Sequence, residues 1–277
     1  MIQSTFHKQL LFIVFLLVAN STNAQTIILP NAYAHNDYWH KRPLLDALDN
    51  GFTYVEADVF LRNNQLIVAH ILPCFKKKRT LEALYLKPLL NYVQCNDRDN
   101  KEKKINNCPL TLMIDIKSDA SKTYTALLSL LDKYKSILSG YEDGNTTLRN
   151  VTIVITGHKP YQLIKCKDRR LVFMDEDLKK AASDSSSNMY PIASCKYSSL
   201  LKWKGKGTIP DREIQRLVYY VTQAHKNGRK VRLWASPENK VVWSELLKCN
   251  VDLINTDRLK RLRKFLLADL QLVAKKG

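Results

Sequence analysis

Glycine is scarce in this chain, 8 residues in 277. None stands in a G-x-G-x-x-G or G-x-x-x-x-G-K string, which excludes the dinucleotide and phosphate-loop architectures that need close backbone approach to a pyrophosphate. Long hydrophobic runs are also missing. The longest, Leu10 to Ala19, has ten apolar residues, and a spanning helix needs roughly 20. No pair among the six cysteines forms a Cys-x-x-Cys string, so zinc ribbons and thioredoxin-like redox sites are poor readings. Negative charge is in short supply: 26 acidic against 44 basic residues gives a net charge of +18. That field draws anions in general and does not choose among lipid head groups, nucleic acid and anionic glycans.

The beginning of the chain has the layout of a processing segment. Lys8 precedes the apolar run, and Asn20-Ser21-Thr22-Asn23-Ala24-Gln25 follows it. A basic flank, a short apolar stretch and small residues predict a signal peptide over residues 1–24, cleaved near Ala24, and a secreted or periplasmic protein comprising one domain, residues 25–277. Only Lys8 is lost with that segment, leaving +17. Cys74, Cys95, Cys108, Cys166, Cys195 and Cys249 lie beyond it. In an oxidising compartment they can pair, and sequence alone leaves 15 full pairings open.

Short β-rich runs alternate with helical patterns. The strand candidates are Thr26–Ala34, Tyr54–Leu61, Leu66–His70, Leu110–Lys117, Val151–Thr156, Leu171–Asp175, Tyr190–Ser194, Lys230–Ala235 and Val251–Asn255. Several are almost wholly apolar, as parallel strands buried on both faces are. Helical patterns cover Pro43–Asn50, Ser121–Leu138, Asp211–Asn227, Ser236–Lys248 and a final stretch striped by Leu259, Leu262, Leu266, Leu270 and Val273. That stripe is expected to pack on the body with a solvated basic face. Leu66–His70 reads as a hairpin partner of Tyr54–Leu61 across Arg62-Asn63-Asn64-Gln65. Roughly eight strand–helix units in about 250 residues predict an α/β fold, a (β/α)8 TIM barrel.

Chemistry concentrates in His35-Asn36, Val55-Glu56-Ala57-Asp58-Val59, Val68-Ala69-His70 and Met113-Ile114-Asp115-Ile116-Lys117. Residues two apart in a strand share a face, so Glu56 goes with Asp58 and Asp115 with Lys117. Each pair sits near the C-terminal end of an apolar strand, where barrels carry their active sites. Buried carboxylates need compensation. Lys117 can meet one, and an all-oxygen set of three suits Mg²⁺ or Ca²⁺.

These strings, in this order, resemble the PLC-like phosphodiesterase superfamily, which includes glycerophosphodiester phosphodiesterases, phosphoinositide phospholipases C and sphingomyelinase D. The resemblance is firm over residues 34–117 and weaker at Val231-Arg232-Leu233-Trp234 and the run from Val251 to Asp257. It implies a TIM barrel with catalytic His35 and His70. It further implies one divalent cation, Mg²⁺ or Ca²⁺, on Glu56, Asp58, Asp115 and Asn36, and substrate contacts from Lys117 and Trp234. The implied activity is metal-dependent cleavage of a glycerophosphodiester or phospholipid head group by acid/base catalysis with two histidines. The alternatives are a catalytically inactive barrel that binds phospholipid or polyanion, and a secreted nuclease. The expected partners are a phosphodiester or phospholipid substrate and an anionic membrane surface; nucleic acid ranks below these, and a monomer is expected. The neighbours diverge from glycerophosphodiesterases. His35-Asn36 replaces their His-Arg, His70-Ile71 their His-Asp, and Asp115-Ile116-Lys117 their Glu-x-Lys. Asp-x-Lys and Pro73-Cys74 look more like the sphingomyelinase D branch.

Overall fold

The computed structural model describes residues 27–71, 79–98, 109–182 and 188–274. Its strands are β1 Leu29–Ala34, β2 Phe52–Arg62, β3 Gln65–Val68, β4 Leu110–Ile116, β5 Gly140–Glu142, β6 Asn145–Thr147, β7 Val151–Gly157, β8 Arg169–Arg170, β9 Phe173–Asp177, β10 Ile192–Lys196, β11 Lys230–Trp234 and β12 Ile254–Thr256. The α-helices are α1 Leu45–Asp49, α2 Lys87–Arg98, α3 Ala120–Leu131, α4 Tyr161–Lys165, α5 Asp211–Lys226, α6 Lys240–Lys248 and α7 Leu259–Ala274.

Eight parallel strands run in the order β11-β10-β9-β7-β4-β2-β1-β12. A parallel bridge from Arg232 to Leu253 joins the two ends of that row, so the sheet is a nearly closed barrel with helices between its strands, the expected TIM-barrel class. Strand alternation gives it two cores. Inside the barrel, Tyr33, Met113, Val154, Phe173, Ile192 and Leu253 form a buried layer. Alternate residues such as Val55, Ala57, Leu112, Ile114, Ile153 and Ile155 face the helices. Glu56, Asp58 and Asp115 occupy interior positions above the inner layer, toward the strand ends.

Local signals explain most boundaries. Gly51 and Gly228 follow α1 and α5 with positive φ, as helix ends of this kind require. Asp119 and Asn239 cap α3 and α6 by accepting from the backbone N–H of Lys122 and Val242. In α5, Asp211 and Glu213 open the helix and His225 and Lys226 close it, matching the helix dipole. Asn63 and Asn64, both left-handed, turn β2 into the antiparallel β3. That is the expected hairpin with a tighter turn.

Other boundaries moved. The helix expected over Ser121–Leu138 stops at Leu131, gives way to a 3-10 turn, and is followed by the hairpin of β5 and β6, to which β8 adds a third strand. Asp143-Gly144, both at positive φ, make the turn that two-residue hairpins favour. The helical stretch before Arg98 was not anticipated. It begins as a π-helical turn, Glu82–Leu86, just before Pro88, whose missing N–H loosens the helical ladder. In the final helix Leu259, Leu262 and Leu266 are buried, whereas Leu270 is exposed.

Among the described residues, three cysteines stand outside the paired framework considered above. Cys166, Cys195 and Cys249 are free; Cys195 and Cys249 are buried in the core and pack there as small apolar side chains. Cys74 and Cys108, like residues 1–24, lie outside the described residues.

Candidate active site

Three strand ends converge in the barrel mouth. β2 and β4 pair so that Asp58 stands beside Asp115, and Glu56 lies one alternation deeper on the same face. One carboxylate oxygen from each of Glu56, Asp58 and Asp115 lies within 4.8 Å of the others. Glu56 and Asp58 are almost completely buried.

Two built-in cations meet these charges. Lys117 Nζ donates to Asp115 Oδ2 at 2.6 Å and stands 3.4 Å from Asp58 Oδ2. Burial alone would lower the Lys117 pKa, but Asp115, Asp58 and Glu56 together raise it. Arg232 reaches across the barrel from β11, and its guanidinium donates to Glu56 Oε2 at 2.9 Å, beside the Tyr33 hydroxyl at 3.0 Å. Burial pushes the Glu56 carboxyl up; Arg232, then His35 and the two hydrogen bonds outweigh it and hold the group below its ordinary range.

The other two carboxylates are less well compensated. Burial, and next the neighbouring Glu56, raise the Asp58 pKa against the pull of Lys117, Tyr38 and His70. Asp115 is pushed up to about 6, by burial first, with Lys117 opposing and Glu56 and Asp58 adding repulsion. Asp115 Oδ1 is buried and has no hydrogen-bond partner among the described residues. A side chain at position 157 would fill the space beside it, since a Cβ on Gly157 would stand 2.0 Å from that oxygen.

These features fit a divalent cation. The donors are all hard oxygens, one of them is orphaned, and the charges balance. Three carboxylates against Lys117 and Arg232 leave one negative charge. A divalent ion turns that into one positive charge, which a singly charged phosphodiester would balance.

Each histidine is tied to a carboxylate through Nδ1. His35, at the end of β1, lies 2.6 Å from Asp257 Oδ1. Burial lowers its pKa, and Asp257 and Glu56 more than reverse this, so the net direction is upward. His70 Nδ1 lies 3.1 Å from Asp58 Oδ2, and the ring of Trp39 meets it edge-on at 5.3 Å between centroids. In both rings the paired Nδ1 leaves Nε2 for chemistry.

The buried Tyr38 hydroxyl links the two halves. It is 2.6 Å from Asn36 Oδ1, 2.9 Å from Asp58 Oδ2 and 3.1 Å from His70 Nδ1. Asn36, in the left-handed region at φ 47°, holds its amide nitrogen 3.2 Å from Asp257 Oδ1. Its oxygen, expected to ligate a metal, is engaged by Tyr38. Trp234 ends β11, is 39 % exposed, and lies with its ring under Lys196. The structure therefore brings His35, Asn36, Glu56, Asp58, His70, Asp115 and Lys117 into one connected site, with Trp234 at the rim.

Tyr33, Tyr38, Arg232 and Asp257 were not foreseen. Two of them carried a signal. Arg232 precedes Trp234 by two residues, and Asp257 follows Asn255 by two, so alternation puts each on an interior face. Tyr38 had none, because a 3-10 turn, Asp37–Trp39, places it.

Comparison with known proteins gives the family and the fold. The sequence model described as an AIM6-like phosphodiesterase domain matches residues 22–175. Altered inheritance of mitochondria protein 6 of Eremothecium gossypii is 32 % identical over 271 residues, covering 86 % of this chain and 70 % of that protein. Its counterpart in Lachancea thermotolerans is 31 % identical, with 84 % of this chain covered but 65 % of the relative; this chain therefore spans about two thirds of the relatives' length. Two solved structures share the fold. A calcium-dependent phosphoinositol-specific phospholipase C from Pseudomonas has a TM-score of 0.56 at 14 % identity, covering 83 % of this chain and 88 % of that one. A glycerophosphodiester phosphodiesterase from Parabacteroides distasonis has a TM-score of 0.51 at 13 % identity, covering 88 % and 98 %.

The relatives overturn one expectation. They are named for inheritance of mitochondria, which speaks against a secreted or periplasmic protein. The physical reason for the error is that ten apolar residues behind one lysine carry no address; they record hydrophobicity and length alone.

Proposed function

As the chain belongs to the family of AIM6-like phosphodiesterase domains, we propose that it cleaves a phosphodiester, a glycerophosphodiester or a phospholipid head group, by two-histidine acid/base catalysis. The observation that carries this reading is the pair of imidazoles, each oriented by a carboxylate, flanking three clustered carboxylates and a lysine. Glu56, Asp58 and Asp115, with the remaining lone pair of Asn36, would hold one Mg²⁺ or Ca²⁺ ion, whose chemistry is to take a phosphate oxygen and offset transition-state charge.

The protein's own groups divide the remaining work. Asp257 fixes the His35 tautomer, leaving Nε2 to accept the proton of the attacking hydroxyl or water. His70 stands nearer the rim, its side chain 45 % exposed, and gives a proton to the leaving oxygen as the P–O bond breaks. Lys117 binds a non-bridging phosphate oxygen when it turns from Asp115. Trp234 lines the entrance.

The test follows cleavage of a phosphodiester panel by phosphorus NMR with Mg²⁺, Ca²⁺ or EDTA. Turnover with metal, and its loss in His35→Ala and His70→Ala proteins that still fold, is expected. A p-nitrophenyl leaving group should rescue His70→Ala and not His35→Ala, because it needs no acid. Full activity in either variant on an alkyl diester would refute the mechanism. We place the site of action with mitochondria, the setting for which the relatives are named; a fluorescent fusion that misses mitochondria would refute this.

A further inference from the structure

The carboxylates and Lys117 use one wall of the barrel mouth, that of β2 and β4. The facing wall belongs to β10, four places from β2 in the row of strands. There Lys196 ends β10 and pairs in register with Trp234 on β11. Ser194, two residues earlier, is buried and donates to Asp175 inside the barrel at 2.7 Å, so alternation turns Lys196 to the same interior side, at mouth level.

Lys196 Nζ lies 5.7 Å from the centroid of the Trp234 ring. Among the described residues no carboxylate comes within ion-pair distance of it. Lys196 is exposed, whereas Lys159, just beyond β7 and two strands away in the row, is partly buried. One of its hydrogens goes to the backbone carbonyl of Asp175 at 2.5 Å, and the Asp175 carboxylate, which also accepts from Ser194 and Thr156, faces both Lys159 and Arg232. Lys117, by contrast, is already matched by Asp115 and Asp58. The mouth thus sets the three carboxylates on one side against an ammonium, that of Lys196, with no ion-pair partner among the described residues.

We propose that Lys196, beside Trp234, is a second anion-binding point, and that the preferred substrate carries a phosphomonoester or carboxylate on its head group besides the phosphodiester. This rests on the phosphodiesterase reading of the site. An aromatic face beside a phosphodiesterase centre would ordinarily welcome a quaternary ammonium. Here an ammonium of the protein already stands over that face, so a choline head group meets like charge. A lysine is a flexible point charge and takes either anion without demanding planar geometry.

The test is equilibrium binding by titration calorimetry in EDTA, where turnover is not required. The ligands are glycerophosphoinositol, its 4-phosphate, N-acetylated glycerophosphoserine and glycerophosphocholine. At least one ligand with the extra anion should bind about tenfold tighter than glycerophosphoinositol, as one charge-assisted hydrogen bond provides; which one gains tells phosphomonoester from carboxylate. Lys196→Met should abolish that advantage. Lys133→Met removes the same charge from an exposed lysine beyond α3 and should leave it intact. Equal affinity for all four ligands, or equal loss in both variants, overturns the proposal, since only the general positive field would then be acting. Phosphorus NMR separates the two readings. Binding preference without turnover refutes the phosphodiesterase and leaves the anion point standing; turnover indifferent to head-group charge does the reverse.

Discussion

Replacing Arg232 with methionine would remove the cation that spans the barrel while keeping its length and apolar stem. Arg232 is fully buried between Glu56, Asp175 and Tyr33, with its guanidinium 4.3 Å from the Tyr33 ring centroid. Glu56 would keep the Tyr33 hydroxyl and the influence of His35 but lose its ion-pair partner. Removing one partner of such a pair costs about 3–5 kcal/mol, which lowers Tm by about 6–20 °C for a domain of this size. The cost should depend on pH. In the native protein the Glu56 pKa is depressed, so its stabilisation is present above its unfolded pKa and is lost as pH falls through the lower folded value. In Arg232→Met the largest group opposing burial is gone and the pKa moves up. Protonation then relieves the orphaned charge, and the loss of stability measured at pH 8 should shrink toward pH 4.5. Urea denaturation followed by circular dichroism measures both. The double variant Arg232→Met/Glu56→Gln should be more stable than Arg232→Met alone, with a coupling of about 2 kcal/mol. A single-variant loss below about 1 kcal/mol, or strict additivity, would refute the cross-barrel pair as the support of Glu56.

Further outcomes follow from other parts of the site. Gly157→Ala puts a methyl group against Asp115 Oδ1 in a left-handed backbone position; activity should fall by at least about tenfold and stability by about 1–3 kcal/mol, seen in kinetics and thermal melts, and a neutral outcome would mean that the carboxylate can move freely. Asp257→Asn removes the acceptor on His35 Nδ1; kcat should drop by roughly 10²-fold or more, and the acid limb of the pH–rate profile should shift to lower pH, because Asp257 is the main group that raises the His35 pKa. An unchanged limb would exclude His35 as the base. The Asp115 carboxyl, pushed up to about 6, keeps its proton to a higher pH than an ordinary carboxyl when no metal is bound. The metal-free protein should therefore lose up to about 3 kcal/mol between pH 4 and 7, and the rise in Tm on adding Mg²⁺ or Ca²⁺ should grow over the same interval. A metal-induced rise that is flat with pH would remove Asp115 from the binding set.

The parts of the fold legible in sequence were those governed by local chemistry. Apolar strands, the Asn63-Asn64 hairpin and the helix ends at Gly51 and Gly228 follow from backbone preferences that act over a few residues. The hairpin at Asp143-Gly144 was equally legible and was passed over because the preceding helical pattern ran on too far. The π-helical turn before Pro88 was not legible, since its wider spacing is a compromise with the surrounding packing. Export failed for a different reason: hydrophobic length is a physical quantity, whereas destination is read by receptors.

Sequence alone determined which groups share a face. Period-two alternation placed Glu56 with Asp58 and Asp115 with Lys117, and strand ends gave His35 and His70 a common edge. It could not say which group meets which across the barrel, because those distances depend on the stagger of eight strands and on the path of the turns between them. Only the tertiary structure decided that Arg232 from the seventh barrel strand neutralises Glu56 on the second, that Asp257 takes His35, and that a 3-10 turn carries Tyr38 into contact with Asn36, Asp58 and His70. It also set Lys196, without an ion-pair partner among the described residues, across the mouth from Glu56, Asp58 and Asp115. Alternation is a property of one strand; pairing across a barrel belongs to the closed sheet.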